Sequence, residues 1–153
     1  MMGVVIRVEG GVSRRRWLAN CSAVLATAAL ALPSASRAAG PSPLVMVVGD
    51  SLSAEYGIAR GSGWVALLEQ RLTREKLGAR VLNASISGDT TSGGRSRLPA
   101  LLAQHKPAVV IIELGGNDAL RGLPLTMTRD NLVAMTRAAK AAGARVLIAG
   151  MQV

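Results

Sequence analysis

Apolar and polar positions along this chain follow two rhythms in turn. Leu44 to Val48 is an unbroken apolar run that predicts a buried strand. From Gly63 to Leu77 the spacing becomes helical, with Trp64, Val65, Leu68 and Leu72 on one face and Glu69, Arg71, Arg74, Glu75 and Lys76 elsewhere. Gly78 follows as the expected stop. Arg80 to Ala84 predicts a second, shorter strand. A loop rich in Ser, Thr and Gly runs from Ser85 to Gly94. A helix to about Gln104 is then expected to bury Leu98, Leu101 and Leu102. Pro107 opens a third strand, Ala108 to Leu114, whose dominantly apolar make-up places it centrally. Gly115 to Pro124 predicts a loop. Thr128 can cap a helix to Ala142, with Leu132, Met135 and Ala139 inward and Gly143 as its stop. Arg145 to Ala149 predicts a fourth strand.

Strands and helices that alternate in this order imply an α/β domain with a mostly parallel sheet and helices on both faces. The pattern ends at Val153, soon after a buried-type strand. The expectation is therefore a three-layer α/β/α domain over residues 44–153 that lacks its last strand and its C-terminal helix.

Composition changes the picture mainly at the amino end. Arg14, Arg15 and Arg16 precede an uncharged stretch of 16 residues, Trp17 to Leu32, and Ser36-Arg37-Ala38 puts small residues at a cleavage site. Residues 1–39 thus read as a signal peptide, with Ser13 to Leu18 similar to a twin-arginine export signal. The apolar run falls short of the ~20 residues that span a bilayer, so no retained anchor is expected. The export reading places the mature protein in the periplasm or outside the cell. Residues 40–43, Gly-Pro-Ser-Pro, form a linker. Cys21, the only cysteine, lies in the leader, which leaves the domain without disulfide or thiolate chemistry. The net charge of +9 is inflated by the leader; from residue 40 onward thirteen bases face eight acids, without a basic run, and nucleic-acid binding is not indicated. With no Phe and only Trp17, Tyr56 and Trp64 as aromatics, the core must be aliphatic.

Three loops follow the first three predicted strands: Gly49-Asp50-Ser51, Ser87-Gly88-Asp89 and Gly115-Gly116-Asn117-Asp118. All leave the carboxyl edge of the sheet, where open α/β folds bind ligands. Acyl transfer needs a nucleophile and donors aimed at the oxyanion that develops on the carbonyl. Ser51 can supply the first. The Gly88 backbone N–H and the Asn117 side-chain amide can supply the second. Gly49 is expected to let the chain turn sharply ahead of Ser51.

Gly49 to Ser53, Asn83 to Thr90, and Glu113 to Asp118 resemble three of the four motif blocks of the SGNH (GDSL) hydrolases. Within that family the likeness is to the periplasmic thioesterase I, lysophospholipase and arylesterase group, and it covers residues 44–153. Arg97 to Leu102 and Leu120-Arg121-Gly122 are similar to that group too. The resemblance implies a flavodoxin-like sheet, Ser51 as nucleophile, and an oxyanion hole from the N–H groups of Ser51 and Gly88 and the Asn117 side chain. It implies a monomer acting on small acyl esters or thioesters without cofactor or metal. Two departures stand out: Glu55 occupies a position the group gives to glycine, and the fourth block, Asp-x-x-His, occurs nowhere in the sequence. Its absence predicts that these residues alone turn over little substrate.

His105, the sole histidine, is not expected to replace the missing base. It precedes the third strand and Ser51 follows the first, so a strand length of roughly 20 Å separates them. A helix C-terminus suits it better. Two other functions compete. Asp50, Asp89 and Asp118 at neighbouring strand ends could bind Mg²⁺ in a phosphohydrolase, although such residues more often hydrogen-bond turn backbone. The loop Ser87 to Gly94 could cradle a phosphate or flavin in a flavodoxin-like binding module, but no Walker-type run accompanies it.

Overall fold

A computed structural model of the chain describes residues 42–150. The leader, its Cys21 and the first two linker residues lie outside the described residues. The domain runs β1 (Leu44–Gly49), α1 (Trp64–Arg74), β2 (Arg80–Asn83), α2 (Thr91–His105), β3 (Val109–Glu113), α3 (Gly116–Leu120), α4 (Leu125–Ala141) and β4 (Arg145–Ile148). All neighbouring strands are parallel, in the order β2-β1-β3-β4. β1 and β3 are the central pair; the sequence reading placed β3 there and expected β1 to be buried.

Side chains alternate across the sheet. Met46, Val48, Val110 and Ile112 face Leu98 and Leu102 of α2 and Met135 and Ala139 of α4. Val47 and Ile111 face the other way, onto Val65 and Leu68 of α1. Both faces are covered, which is why the central strands carry no polar alternation. Fully burying each such side chain contributes about 1.5–3 kcal/mol.

Several boundaries differ from the sequence reading, each for a local reason. The expected first helix ends at Arg74, not Leu77. Lys76 adopts φ 54° there, and the Lys76 and Leu77 N–H groups return to the carbonyls of Thr73 and Leu72. That closure needs one left-handed residue, and Lys76 rather than Gly78 supplies it. The Ser85 to Gly94 loop is shorter than expected. α2 begins at Thr91, and the Thr90 hydroxyl accepts the Gly93 N–H at 3.3 Å. Gly93 and Gly94 look loop-forming, yet a Cβ at Gly94 would lie 2.3 Å from Leu114 Cδ1. The glycine lets the first turn of α2 approach the end of β3. The region Gly115 to Pro124 is not all loop, because it contains α3. α4 starts at Leu125, so Thr128 is not its cap; its hydroxyl instead donates to Asp118 Oδ1 at 3.3 Å. Gly143 does stop α4, at φ 84°.

Candidate active site

The three candidate loops meet at the carboxyl edge of the sheet, and one side chain joins them. Asn117, in the first turn of α3, donates from Nδ2 to Asp50 Oδ2 at 3.1 Å and to the Asp89 carbonyl at 2.8 Å. Asp50 precedes Ser51 and Asp89 follows Gly88. The carboxamide therefore ties the neighbour of one candidate residue to the neighbour of another. Both of its hydrogens are engaged, so it can serve a third acceptor only by sharing one of these bonds.

Asp50 is 2% exposed, and its other oxygen accepts the Leu52 N–H at 3.0 Å. The Ala54 N–H returns to the Asp50 carbonyl and the Tyr56 N–H to the Ser51 carbonyl, at 2.9 and 3.2 Å. Ser51 sits half-buried in this tight turn, and its hydroxyl has no hydrogen-bond partner among the described residues. Gly88 is the third residue of a turn closed from Asp89 N–H to Ile86 C=O at 3.1 Å. Its φ of 79° excludes most side chains there. The Gly88 carbonyl accepts Arg121 Nη2 at 2.8 Å, while its N–H donates to nothing among the described residues. Arg97, on α2, pairs with Asp89 at 2.9 Å and reaches the Ala84 carbonyl, which pins this loop to the sheet.

A second set of residues lies beneath Ser51; three of them, Ser53, Asn83 and Glu113, fall inside the motif blocks, but the sequence reading gave them no role. Glu113, the last residue of β3, lies opposite Gly49 in register and is 6% exposed. Its Oε2 accepts the Ser53 hydroxyl at 2.7 Å. Ser53 Oγ in turn accepts the Trp64 indole N–H at 3.1 Å, and its carbonyl accepts Asn83 Nδ2 at 2.7 Å. β2, β3 and α1 thus all hold the turn that presents Ser51. Trp64 faces this network and not the core, contrary to the helical pattern. Gly49 also plays a different part from the one expected. It has no left-handed φ; it is bare because a Cβ would lie 2.6 Å from Ser53 Oγ and 2.8 Å from Glu113 Oε2. An acid closing an otherwise apolar central strand was the available signal.

Burial pushes the Glu113 carboxyl above the usual carboxylate range, and the nearby Asp50 pushes the same way against the Ser53 hydroxyl. Its Oε1 is buried without a partner among the described residues. A raised folded-state value means stability present at acid pH is lost as pH rises through it. Glu113→Gln keeps an acceptor for Ser53 and removes the charge. We expect the variant to gain stability relative to the native chain as pH rises from acid to neutral, as followed by urea unfolding. A pH-independent difference would contradict this.

The remaining expected residues fall as follows. Asp118 is 1% exposed and accepts the Thr91 N–H at 2.9 Å and the Thr91 hydroxyl at 2.5 Å. Asp89 Oδ1 accepts the Thr90 N–H at 2.9 Å. Each of the three aspartates is thus committed to donors of its own turn or of a neighbouring helix start, and among the described residues no three His, Cys, Asp or Glu form a metal-binding group. His105 ends α2, at the opposite edge of the sheet from Ser51. Among the described residues no helix is long and apolar enough to cross a membrane.

Comparison with known proteins identifies the family. Residues 47–153 match the GDSL-like Lipase/Acylhydrolase family. The chain is 52% identical over 130 residues to Esterase TesA of Pseudomonas aeruginosa, covering 85% of this chain and 64% of that one. It is 46% identical over 112 residues to Thioesterase 1/protease 1/lysophospholipase L1 of Escherichia coli K12, covering 73% of this chain and 52% of that protein. A crystal structure of TesA superposes with a TM-score of 0.71 at 55% identity, over 72% of this chain and 61% of the other. The chain thus spans between half and two thirds of the length of these relatives.

Proposed function

The chain belongs to the GDSL-like Lipase/Acylhydrolase family, and from that premise we propose that the whole protein hydrolyses acyl esters or thioesters with Ser51 as its nucleophile. The Asn117 bridge between Asp50 and Asp89 carries the reading, because it links the turn bearing the Ser51 hydroxyl to the turn bearing the Gly88 N–H, both without a partner among the described residues. A general base takes the Ser51 proton as Oγ attacks the carbonyl carbon. The oxyanion is met by the N–H groups of Ser51 and Gly88, with Asn117 Nδ2 sharing one of its two bonds. The leaving alcohol or thiol takes up the proton, and water then releases the acyl group from Ser51 by the same route.

His105 is the only imidazole in the sequence and lies at the wrong edge of the sheet. The base and its orienting carboxylate are therefore assigned to parts of the whole protein outside these residues, and residues 1–153 alone are expected to turn over little substrate. The likeness to proteins named esterase, thioesterase and lysophospholipase supports small acyl esters and thioesters as the substrate class. The leader supports an exported protein, and the domain is proposed to act as a monomer.

A fluorophosphonate probe tests the assignment directly. In the whole protein it is expected to form one adduct, mapped by mass spectrometry to the peptide that contains Ser51. An adduct at another residue, or none, would sink the reading.

A further inference from the structure

The helix that carries Asn117 is held in place by a carboxylate. α3 has five residues, Gly116–Leu120, little more than one turn, with the Ala119 N–H returned to the Gly115 carbonyl at 3.0 Å. A helix that short does not hold itself in water. Ala119 and Leu120 are exposed among the described residues, and the buried members of α3 are Gly116 and Asp118. No apolar side chain of α3 therefore docks it on the described part of the fold.

An acid in the first turn of a helix commonly serves the N–H groups of that same helix. Asp118 does not. Its Oδ2 accepts the Thr91 N–H at 2.9 Å and its Oδ1 the Thr91 hydroxyl, both from the start of α2. Oδ1 also accepts the Thr128 hydroxyl of α4 at 3.3 Å. The bonds continue outward: Asn131 Nδ2 donates to Thr91 Oγ1 at 3.1 Å, and Arg95 Nη1 donates to Asn131 Oδ1 at 3.0 Å. Thr91, Asn131 and Asp118 are all buried. A buried polar network whose members are satisfied is rigid. Asn117 and Asp118 are neighbours on one turn, so their side chains leave the helix about 100° apart. With Asp118 fixed to α2 and α4, Asn117 is turned toward Asp50 and Asp89.

Building on the hydrolase reading, we propose that Asp118 is the positioning residue of the oxyanion hole: its carboxylate, held by Thr91 and Thr128, sets the orientation of α3 and so aims the Asn117 carboxamide at the rim beside Ser51. Asp118 touches no reacting atom and acts through Asn117. Misplacing a catalytic group by about 1 Å can cost about 100-fold in rate.

The test is a double-mutant cycle in the whole protein with p-nitrophenyl butyrate. Asp118→Asn keeps the side chain's size, offers one oxygen in place of two, and turns an NH₂ group on the Thr91 donors. It is expected to lower kcat by about 10- to 100-fold with KM within about threefold. Asn117→Ala should cost about 100- to 1000-fold. With Asn117 already alanine, Asp118→Asn should lower kcat by no more than about twofold further, because the donor it aims is gone. Leu102→Ala, a core truncation toward the far end of α2, should lower the melting temperature and leave kcat unchanged. ¹⁵N spectra of the whole protein give a readout that needs no turnover: in Asp118→Asn the Asn117 side-chain amide resonances should move toward those of a free carboxamide. If Asp118→Asn does not fold, Thr128→Val removes a single donor and is expected to shift the same resonances and lower kcat by about threefold. Losses that multiply in the double variant, or Asn117 resonances that stay in place, would mean that Asp118 only stabilises the fold, and either result overturns the proposal. A whole protein that takes no fluorophosphonate at Ser51 defeats the hydrolase reading, while the resonances still report whether Asp118 orients Asn117.

Discussion

Ser51→Ala in the whole protein is expected to lower kcat for p-nitrophenyl butyrate by roughly 10⁴- to 10⁶-fold, the range seen when a nucleophile is removed from a serine hydrolase. Binding and oxyanion donors would remain, so the residue left should still exceed the uncatalysed rate. Stability should hardly change. The Ser51 hydroxyl has no partner among the described residues, so its loss strands no buried donor or acceptor. A shift within about 0.5 kcal/mol in urea is expected. Rate loss with unchanged stability separates a reacting atom from a structural one. Turnover that persists in the alanine variant would remove Ser51 from the chemistry.

Gly49→Ala should show the opposite pattern, with a stability loss of about 3 kcal/mol or more. The added methyl would sit 2.6 Å from Ser53 Oγ and 2.8 Å from both Ser53 Cβ and Glu113 Oε2. None of these can retreat. Ser53 is held by Glu113, Trp64 and Asn83 at once, and Glu113 is fixed at the end of a central strand. The substitution must therefore break hydrogen bonds inside a packed site or push β1 from β3. At Gly57 a Cβ meets nothing within 4 Å, so alanine there should cost only the backbone preference, about 1 kcal/mol. Urea midpoints of the two variants check this. Equal losses would mean that the crowding around Gly49 is not felt.

The sheet and the converging loops were legible in the sequence because their signals are local. Unbroken apolar runs mark strands that are buried on both faces, and glycine-rich ends mark where loops leave them. The helix starts were harder. Thr90 caps α2 ahead of two glycines that look like loop, and their purpose is close approach to Asp89 and Leu114, which no local window contains. The site was half visible. Ser51, Gly88 and Asn117 announce themselves by residue type and position. The support under them did not, because Glu113, Ser53, Trp64 and Asn83 come from four separate segments. Glu55 departs from the family pattern in sequence, and only the fold brings the Gly61 and Gly63 N–H groups to its carboxylate.

The pairing of strands has a kinetic consequence. Val45 is matched with Val109, Val81 with Val45, and Val109 with Arg145, so each rung of the ladder joins residues tens of positions apart. Each pairing must wait for a long excursion of chain to return, and such topologies fold slowly. Asp50 and Asn117 are themselves 67 positions apart. Their bond cannot precede the meeting of β1 and β3. In a refolding experiment, chemistry at Ser51 should therefore be among the last properties to reappear, after most of the helical signal has returned.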